Sequence, residues 1–192
     1  MILTSLTGDN SDLFKTVSDF YMSAGSTIAD VTFGKGVFWK KIDTSKFQFL
    51  PSDLQTGIDF GALPYKNNSI DALVLDPPYM HGGATVKESI NKCYKNLNTS
   101  HSSVVRLYAR GILEATRVLK KKGHIFVKTQ DEIESGKQNF SHCELIDILK
   151  MFGFVIVDLF VLTQISVPAM REKYQKTARK NHSYLIVAEY RN

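Results

Sequence analysis

The sequence predicts a single α/β domain: a Rossmann-like, mostly parallel sheet of seven strands with helices interleaved between them. Three observations carry that expectation. Short apolar runs alternate with longer amphipathic stretches along the chain, the pattern of strand–helix–strand units. One run, Ile70–Leu75 (IDALVL), is almost continuously apolar, as a strand buried on both faces requires. A chain of 192 residues, 43% hydrophobic and 22% charged, can build one sizeable core and is short for two.

Taken in order, residues 11–23 place Leu13, Val17, Phe20 and Tyr21 at helical intervals. Ser26–Phe33 reads as a strand broken by Gly34 and Gly36, and Phe47–Leu50 as a second strand that stops at Pro51. After Ile70–Leu75, residues 104–121 read as the longest helix, with Val105, Tyr108, Ile112, Leu113, Ala115, Thr116 and Leu119 on its inner side. Gly123 is expected to end it as a C-cap, with Lys120-Lys121-Lys122 in the last turn favourable to the helix dipole. His124–Val127 is the next strand. A helix from His142 to Met151 stops at Gly153 and leads into the strand Phe154–Leu162, and Tyr184–Glu189 closes the chain. Repeats, low-complexity tracts and linkers are lacking, so residues 1–192 are read as one domain.

Composition narrows the classes. No apolar run approaches the roughly eighteen residues of a membrane span. The N-terminus lacks the basic and apolar regions of a signal peptide. Cys93 and Cys143 stand far apart with no CxxC partner, which reads as free thiols in a reducing compartment, without a metal site. A cytoplasmic location is the expectation. The net charge of +5 suits a nucleic-acid partner, although charge alone does not select one.

Two segments carry chemistry. The first is Asp30-Val31-Thr32-Phe33-Gly34-Lys35-Gly36, at the end of a strand. A glycine turn there lets backbone approach a ligand in the crevice beyond the strand ends; a plain turn is the competing reading. The GxGxxG dinucleotide fingerprint is absent, because Trp39 holds the position of its last glycine. Asp53 follows the second strand, where a carboxylate can accept ribose hydroxyls, and Asp59 precedes the third. Each aspartate is equally suited to a loop or a cap.

The second segment is Asp76-Pro77-Pro78-Tyr79, at the carboxyl end of the most hydrophobic strand. Prolines there stop a strand, which by itself would explain them. The chemical reading is that the Asp76 carboxylate and the Pro77 carbonyl each accept one N–H of a delocalised base amine. They draw its nitrogen toward tetrahedral geometry and stabilise the charge that grows as it is methylated. Pro77 and Pro78 fix φ and hold that carbonyl in place. Tyr79 offers a face on which a flipped base can stack.

The run DVTFGKG, then SDL, then DFGALPYKNNSIDALVLDPPY resembles the amino-methylating branch of the class I methyltransferases, the DNA adenine and cytosine amino-methyltransferases. The similarity continues through Gly111–Leu119 and ends on Asn181–Val187, so that it spans residue 26 to the C-terminus. The resemblance implies a single class I methyltransferase domain using S-adenosyl-L-methionine. It places the Gly34/Gly36 turn under the methionine portion, with Asp30, Thr32 and Phe33 in the same motif, Asp53 near the ribose and Asp59 near the adenine. It also implies methylation of a DNA base, adenine N6 ahead of cytosine N4, with Asp76, Pro77, Pro78 and Tyr79 as the catalytic motif. An RNA base and a non-catalytic, partner-binding subunit are the alternatives. Val31 stands where many members carry proline, and the chain has no room for a separate target-recognition domain. A separate recognition partner or a homo-oligomer is left open.

For gripping nucleic acid, one candidate is the segment after Tyr79, where His81-Gly82-Gly83 and Lys87 could close over a substrate; an ordinary basic-faced helix is the alternative. The other is REKYQKTARK, with Arg171, Lys173, Lys176, Arg179 and Lys180 around Tyr174, suited to phosphates and stacking or to a solvated face. His124, His142 and His182 are read as structural, and His101 carries no signal.

Overall fold

Strand propensity and alternation set the frame of the computed structural model, which describes residues 2–79, 100–164, 178 and 180–192. Its strands are β1 (Ser5–Thr7), β2 (Thr27–Asp30), β3 (Gln48–Pro51), β4 (Ile70–Leu75), β5 (Leu119–Thr129), β6 (Glu132–Glu134), β7 (Lys137–Asn139), β8 (Phe154–Thr163) and β9 (His182–Tyr190). Its α-helices are α1 (Asn10–Tyr21), α2 (His101–Val118) and α3 (Ser141–Met151). None of the described helices is long and apolar enough to cross a membrane.

Seven strands form one sheet in the order β1-β8-β9-β5-β4-β2-β3. The pairs β1–β8, β2–β3, β2–β4 and β4–β5 are parallel, and β9 runs antiparallel between β5 and β8. The chain leaves β2 toward β3 on one side and returns to β4 on the other. The carboxyl ends of β2 and β4 therefore flank a topological switch point, where open α/β sheets leave a crevice for ligands.

Both sheet faces are covered. On one, Leu13, Phe14 and Val17 of α1 pack with Phe38 and Trp39 against Ile28, Ala72, Val74 and Phe126. Phe14 meets Trp39 edge-on at 5.0 Å between ring centres, and truncating such a buried Phe to Ala costs about 3–5 kcal/mol. On the other face, Val104, Tyr108, Ile112 and Ala115 of α2 join Leu145 and Leu149 of α3 over Leu73, Leu75, Ile125 and Val127. Gly111 lets α2 lie close, because a Cβ there would stand 2.9 Å from the Phe60 ring.

The predicted architecture is observed, with local corrections. The strand count is completed by β1, a three-residue edge strand (SLT) at the N-terminus that the sequence reading did not name. Helix α2 starts three residues before the expected 104, because the Ser100 hydroxyl accepts the Ser103 N–H and caps it. It ends at Val118, not 121. Leu119 is already extended and pairs with Ile70, so Lys120, Lys121, Lys122 and Gly123 belong to β5. Lys120 binds Asp71 at 2.8 Å, and Lys122 takes a positive φ of 67° inside a register shift. Gly123 is thus no helix cap. It lets the strand backbones approach closely, since a Cβ would lie 3.1 Å from the Asp71 carbonyl. Leu113, expected on the inner side, faces solvent. The β6–β7 hairpin, also missed, turns at Ser135 and Gly136, both at positive φ, as a two-residue turn matched to strand twist needs.

Candidate active site

Strand β2 delivers Asp30 to the switch point as a buried carboxylate, 3% exposed. Its Oδ2 accepts the Trp39 indole N–H at 2.6 Å and its Oδ1 the Thr32 backbone N–H at 3.0 Å. Burial pushes its pKa up to about 6, against the pull of those two donors. The chain then turns through Gly34 (φ 53°) and Gly36 (φ 63°), a left-handed conformation that favours glycine. The Phe33 ring fills the space above Gly36, where a Cβ would lie 2.7 Å from it. A side chain at position 36 therefore strains the turn before it meets any ligand.

Asp53 fastens the turn from β3. Its Oδ2 accepts the Gly34 N–H at 3.0 Å. Its Oδ1 caps the short helical turn Leu54–Thr56 through the Gln55 and Thr56 N–H groups. Asp30, Thr32, Phe33, Gly34, Gly36 and Asp53 are thus brought together around one turn. Asp59 stands in the following loop, where its Oδ1 accepts the Gly61 N–H at 2.8 Å and pairs with Arg110 of α2.

Asp76 emerges from β4 across the crevice, and its backbone N–H donates to the Thr32 hydroxyl at 2.7 Å. One threonine therefore joins the glycine turn to the DPPY segment. The Oδ1 of Asp76 is buried and, among the described residues, accepts no hydrogen bond. Such an orphaned acceptor costs about 1–3 kcal/mol. Burial pushes the Asp76 carboxyl well above the usual carboxylate range; the charge of Lys128 pulls it back, and Asp30 adds to the rise. Tyr79 is half-buried, and burial followed by the Asp76 charge pushes its phenol up to about 12.

The sequence reading missed Lys128. It is 2% exposed at the end of β5, and its ammonium lies over the Tyr79 ring, 5.8 Å from the centroid. Burial lowers its pKa and the Asp76 charge opposes that change. The Tyr108 hydroxyl of α2 donates to the Lys128 carbonyl at 2.6 Å and braces the strand end. A signal was available: Phe126 and Lys128 alternate onto one face of β5, and Phe126 is core. His101 was missed as well. It is a buried bridge at the start of α2, its two ring nitrogens 2.8 Å from Glu132 and Glu144. His142 pairs with Asp131 at 2.7 Å and stacks on Tyr184, and His182 meets the Tyr184 hydroxyl at 3.1 Å.

Of the expected nucleic-acid contacts, Lys87, Arg171, Lys173, Lys176 and Arg179 lie outside the described residues. Lys180 is half-buried just before β9. A surface depression of about 430 Å³ at the β1–β8 edge is lined by Ile2, Thr4, Phe20, Asp158 and Phe160. Its one carboxylate takes the Tyr21 hydroxyl, and it offers no second group for chemistry.

Comparison with known proteins places the architecture. No family model and no curated protein matches the sequence. Among solved structures, the chain is similar to a SAM-dependent methyltransferase from Methanosarcina mazei, at 13% identity and TM-score 0.54 over 91% of this chain and 97% of that one. It is similar to the cyclase SpnF at 15% identity and TM-score 0.57, over 94% and 80% of the two chains. A third is the geranyl diphosphate C-methyltransferase of Streptomyces coelicolor A3(2), solved with S-adenosyl-L-homocysteine, at 12% identity and TM-score 0.55 over 95% and 80%. The fold is the Rossmann-like class I methyltransferase fold. Methyltransferases and a cyclase share it, so the chemistry has to be argued from the site.

Proposed function

We propose that the protein is an S-adenosyl-L-methionine-dependent methyltransferase that modifies an exocyclic amino group of a nucleic-acid base, adenine N6 of DNA first. The observation that carries this reading is the buried, unpartnered Oδ1 of Asp76, held at the switch point by Thr32. An acceptor left empty at such cost fits a partner that arrives with the substrate. Asp76 accepts one N–H of the base amine and the Pro77 carbonyl the other, so the nitrogen lone pair is turned toward the cofactor side of the crevice. The amine gains a methyl group and sheds one proton, and the Asp76 charge opposes the positive charge that grows on nitrogen in between. Tyr79 supplies a stacking face for the flipped base.

The residues around the turn fit the cofactor. The Gly34–Gly36 backbone permits close approach of its methionine portion. The second oxygen of Asp59 is free of the bonds that hold Oδ1, and it suits an adenine amino group. Asp53, already fixed by three backbone N–H groups, can accept a ribose hydroxyl on Oδ2. S-adenosyl-L-methionine, when bound, supplies an electrophilic methyl group. In this reading Lys87, Arg171, Lys173, Lys176, Arg179 and Lys180 meet phosphate, and a recognition partner or second copy supplies target choice.

The test offers radiolabelled S-adenosyl-L-methionine with unmethylated DNA, tRNA and rRNA in separate reactions, followed by digestion and identification of the labelled nucleoside. N6-methyladenine in DNA is the expected product. Label confined to RNA would redirect the substrate, and tight cofactor binding without transfer to any of them would remove the catalytic reading.

A further inference from the structure

Within the reading just given, the residue that stands out is a buried lysine. In the parallel β4–β5 pair, Leu75 lies opposite Val127; the next residues of the two chains are Asp76 and Lys128, whose charges act on each other. Tyr79 packs against the core under α2, while alternation puts Asp76 and Lys128 on the strand face of Ala72, Val74 and Phe126, which belong to the core under α1. Helix α1 presents Leu13, Phe14 and Val17 there and no charge. Among the described residues, the groups acting electrostatically on Asp76 are Asp30 at the end of β2, Lys128, and the phenols of Tyr79 and Tyr108. Lys128 is the one cation in that set.

We propose that Lys128 is a positioning residue: its buried ammonium, seated over the Tyr79 ring near Asp76, favours the charged form of Asp76 as acceptor for the substrate amine. A carboxylate in this place is buried, has no donor on Oδ1 among the described residues, and faces the like charge of Asp30. Left alone it takes up a proton, and a protonated carboxyl offers weaker stabilisation to a nitrogen becoming positive. A point charge on a long apolar stem can reach the pocket from β5 while its methylenes pack in the core.

The direct test needs no substrate. In the full chain with 13C-labelled aspartate carboxyls, the Asp76 signal is assigned from its loss in Asp76→Asn and followed against pH in wild type, Lys128→Met and Lys128→Arg. Lys128→Met should move the Asp76 titration up by at least about one pH unit, and Lys128→Arg should leave it near the wild-type position. If the methionine variant does not fold, Lys128→Gln removes the same charge while keeping a polar tip. An unchanged Asp76 titration in the uncharged variants, or an equal shift in the arginine variant, overturns the assignment. The acid limb of single-turnover methylation of DNA should then move with the carboxyl. A carboxyl shift in a protein that methylates no nucleic acid at any pH supports the Lys128 assignment and removes the amino-methylation reading instead.

Discussion

Asp76→Ala separates the catalytic reading of the DPPY segment from a purely structural one. Among the described residues the side chain makes no hydrogen bond through Oδ1, and its link to the glycine turn runs through the backbone N–H to Thr32. The substitution should therefore leave the turn intact and S-adenosyl-L-methionine affinity unchanged. Two effects on stability oppose each other. Removing an orphaned buried acceptor recovers about 1–3 kcal/mol, while Lys128 loses the opposing charge of Asp76. A net change within about 1 kcal/mol corresponds to a melting shift of about 2–4 °C at this size. Losing a preorganised acceptor for developing charge should cost about 3–4 kcal/mol of transition-state stabilisation, a hundredfold to a thousandfold in rate. Single-turnover methylation, calorimetric cofactor binding and thermal melting on one preparation read all three. Methyl transfer near the wild-type rate would refute the reasoning. So would a large fall in melting temperature with activity lost in step with the folded fraction, the signature of a brace for the exit loop.

Other consequences are open to measurement. Thr32→Val removes the acceptor of the Asp76 N–H and should cost about 1–3 kcal/mol in urea denaturation; unchanged stability would mean that the hydroxyl bridge is dispensable. His101 is raised above its ordinary pKa: burial lowers it, and the hydrogen bonds of Glu144 and Glu132, with their charges, outweigh that. Its extra stabilisation is present below about pH 6.5 and is lost as pH rises through the higher folded value. The melting advantage of wild type over His101→Gln should accordingly be largest near pH 6 and shrink toward pH 9, and a flat difference would count against the bridge. Replacing Arg179 and Lys180 by Ala should weaken nucleic-acid binding and reduce its salt slope by up to about two phosphate contacts. A slope equal to wild type would make this segment a solvated face.

The parts of the fold that were legible are those fixed by local pattern. The limits of β4 were read correctly because an almost continuous apolar run is followed by two prolines that cannot continue a central strand. Helix α3 ends where expected because Gly153 takes a left-handed φ of 86°. The errors arise where a distant partner decides. Strand β1 has no apolar signature in SLT and exists through its pairing with β8. The segment Leu119–Gly123 continues a helical pattern, yet Leu119 pairs with Ile70 and Lys120 with Asp71, so tertiary pairing overrides propensity. In the site, Asp76 was readable from its motif. Lys128 comes to it through β5, and His101 gains meaning from carboxylates on the β6–β7 hairpin and α3.

The Thr32 hydroxyl has a thermodynamic consequence. It is shared: its oxygen receives the Asp76 N–H, while the Thr32 N–H is anchored on Asp30. A ligand that displaces the glycine turn by a few tenths of an ångström would also move Asp76, the acceptor proposed to meet the base. The two binding events then share one free energy of coupling, and linkage makes it reciprocal: whatever factor the first ligand applies to the affinity of the second is returned unchanged. Thr32→Val should make the two affinities independent.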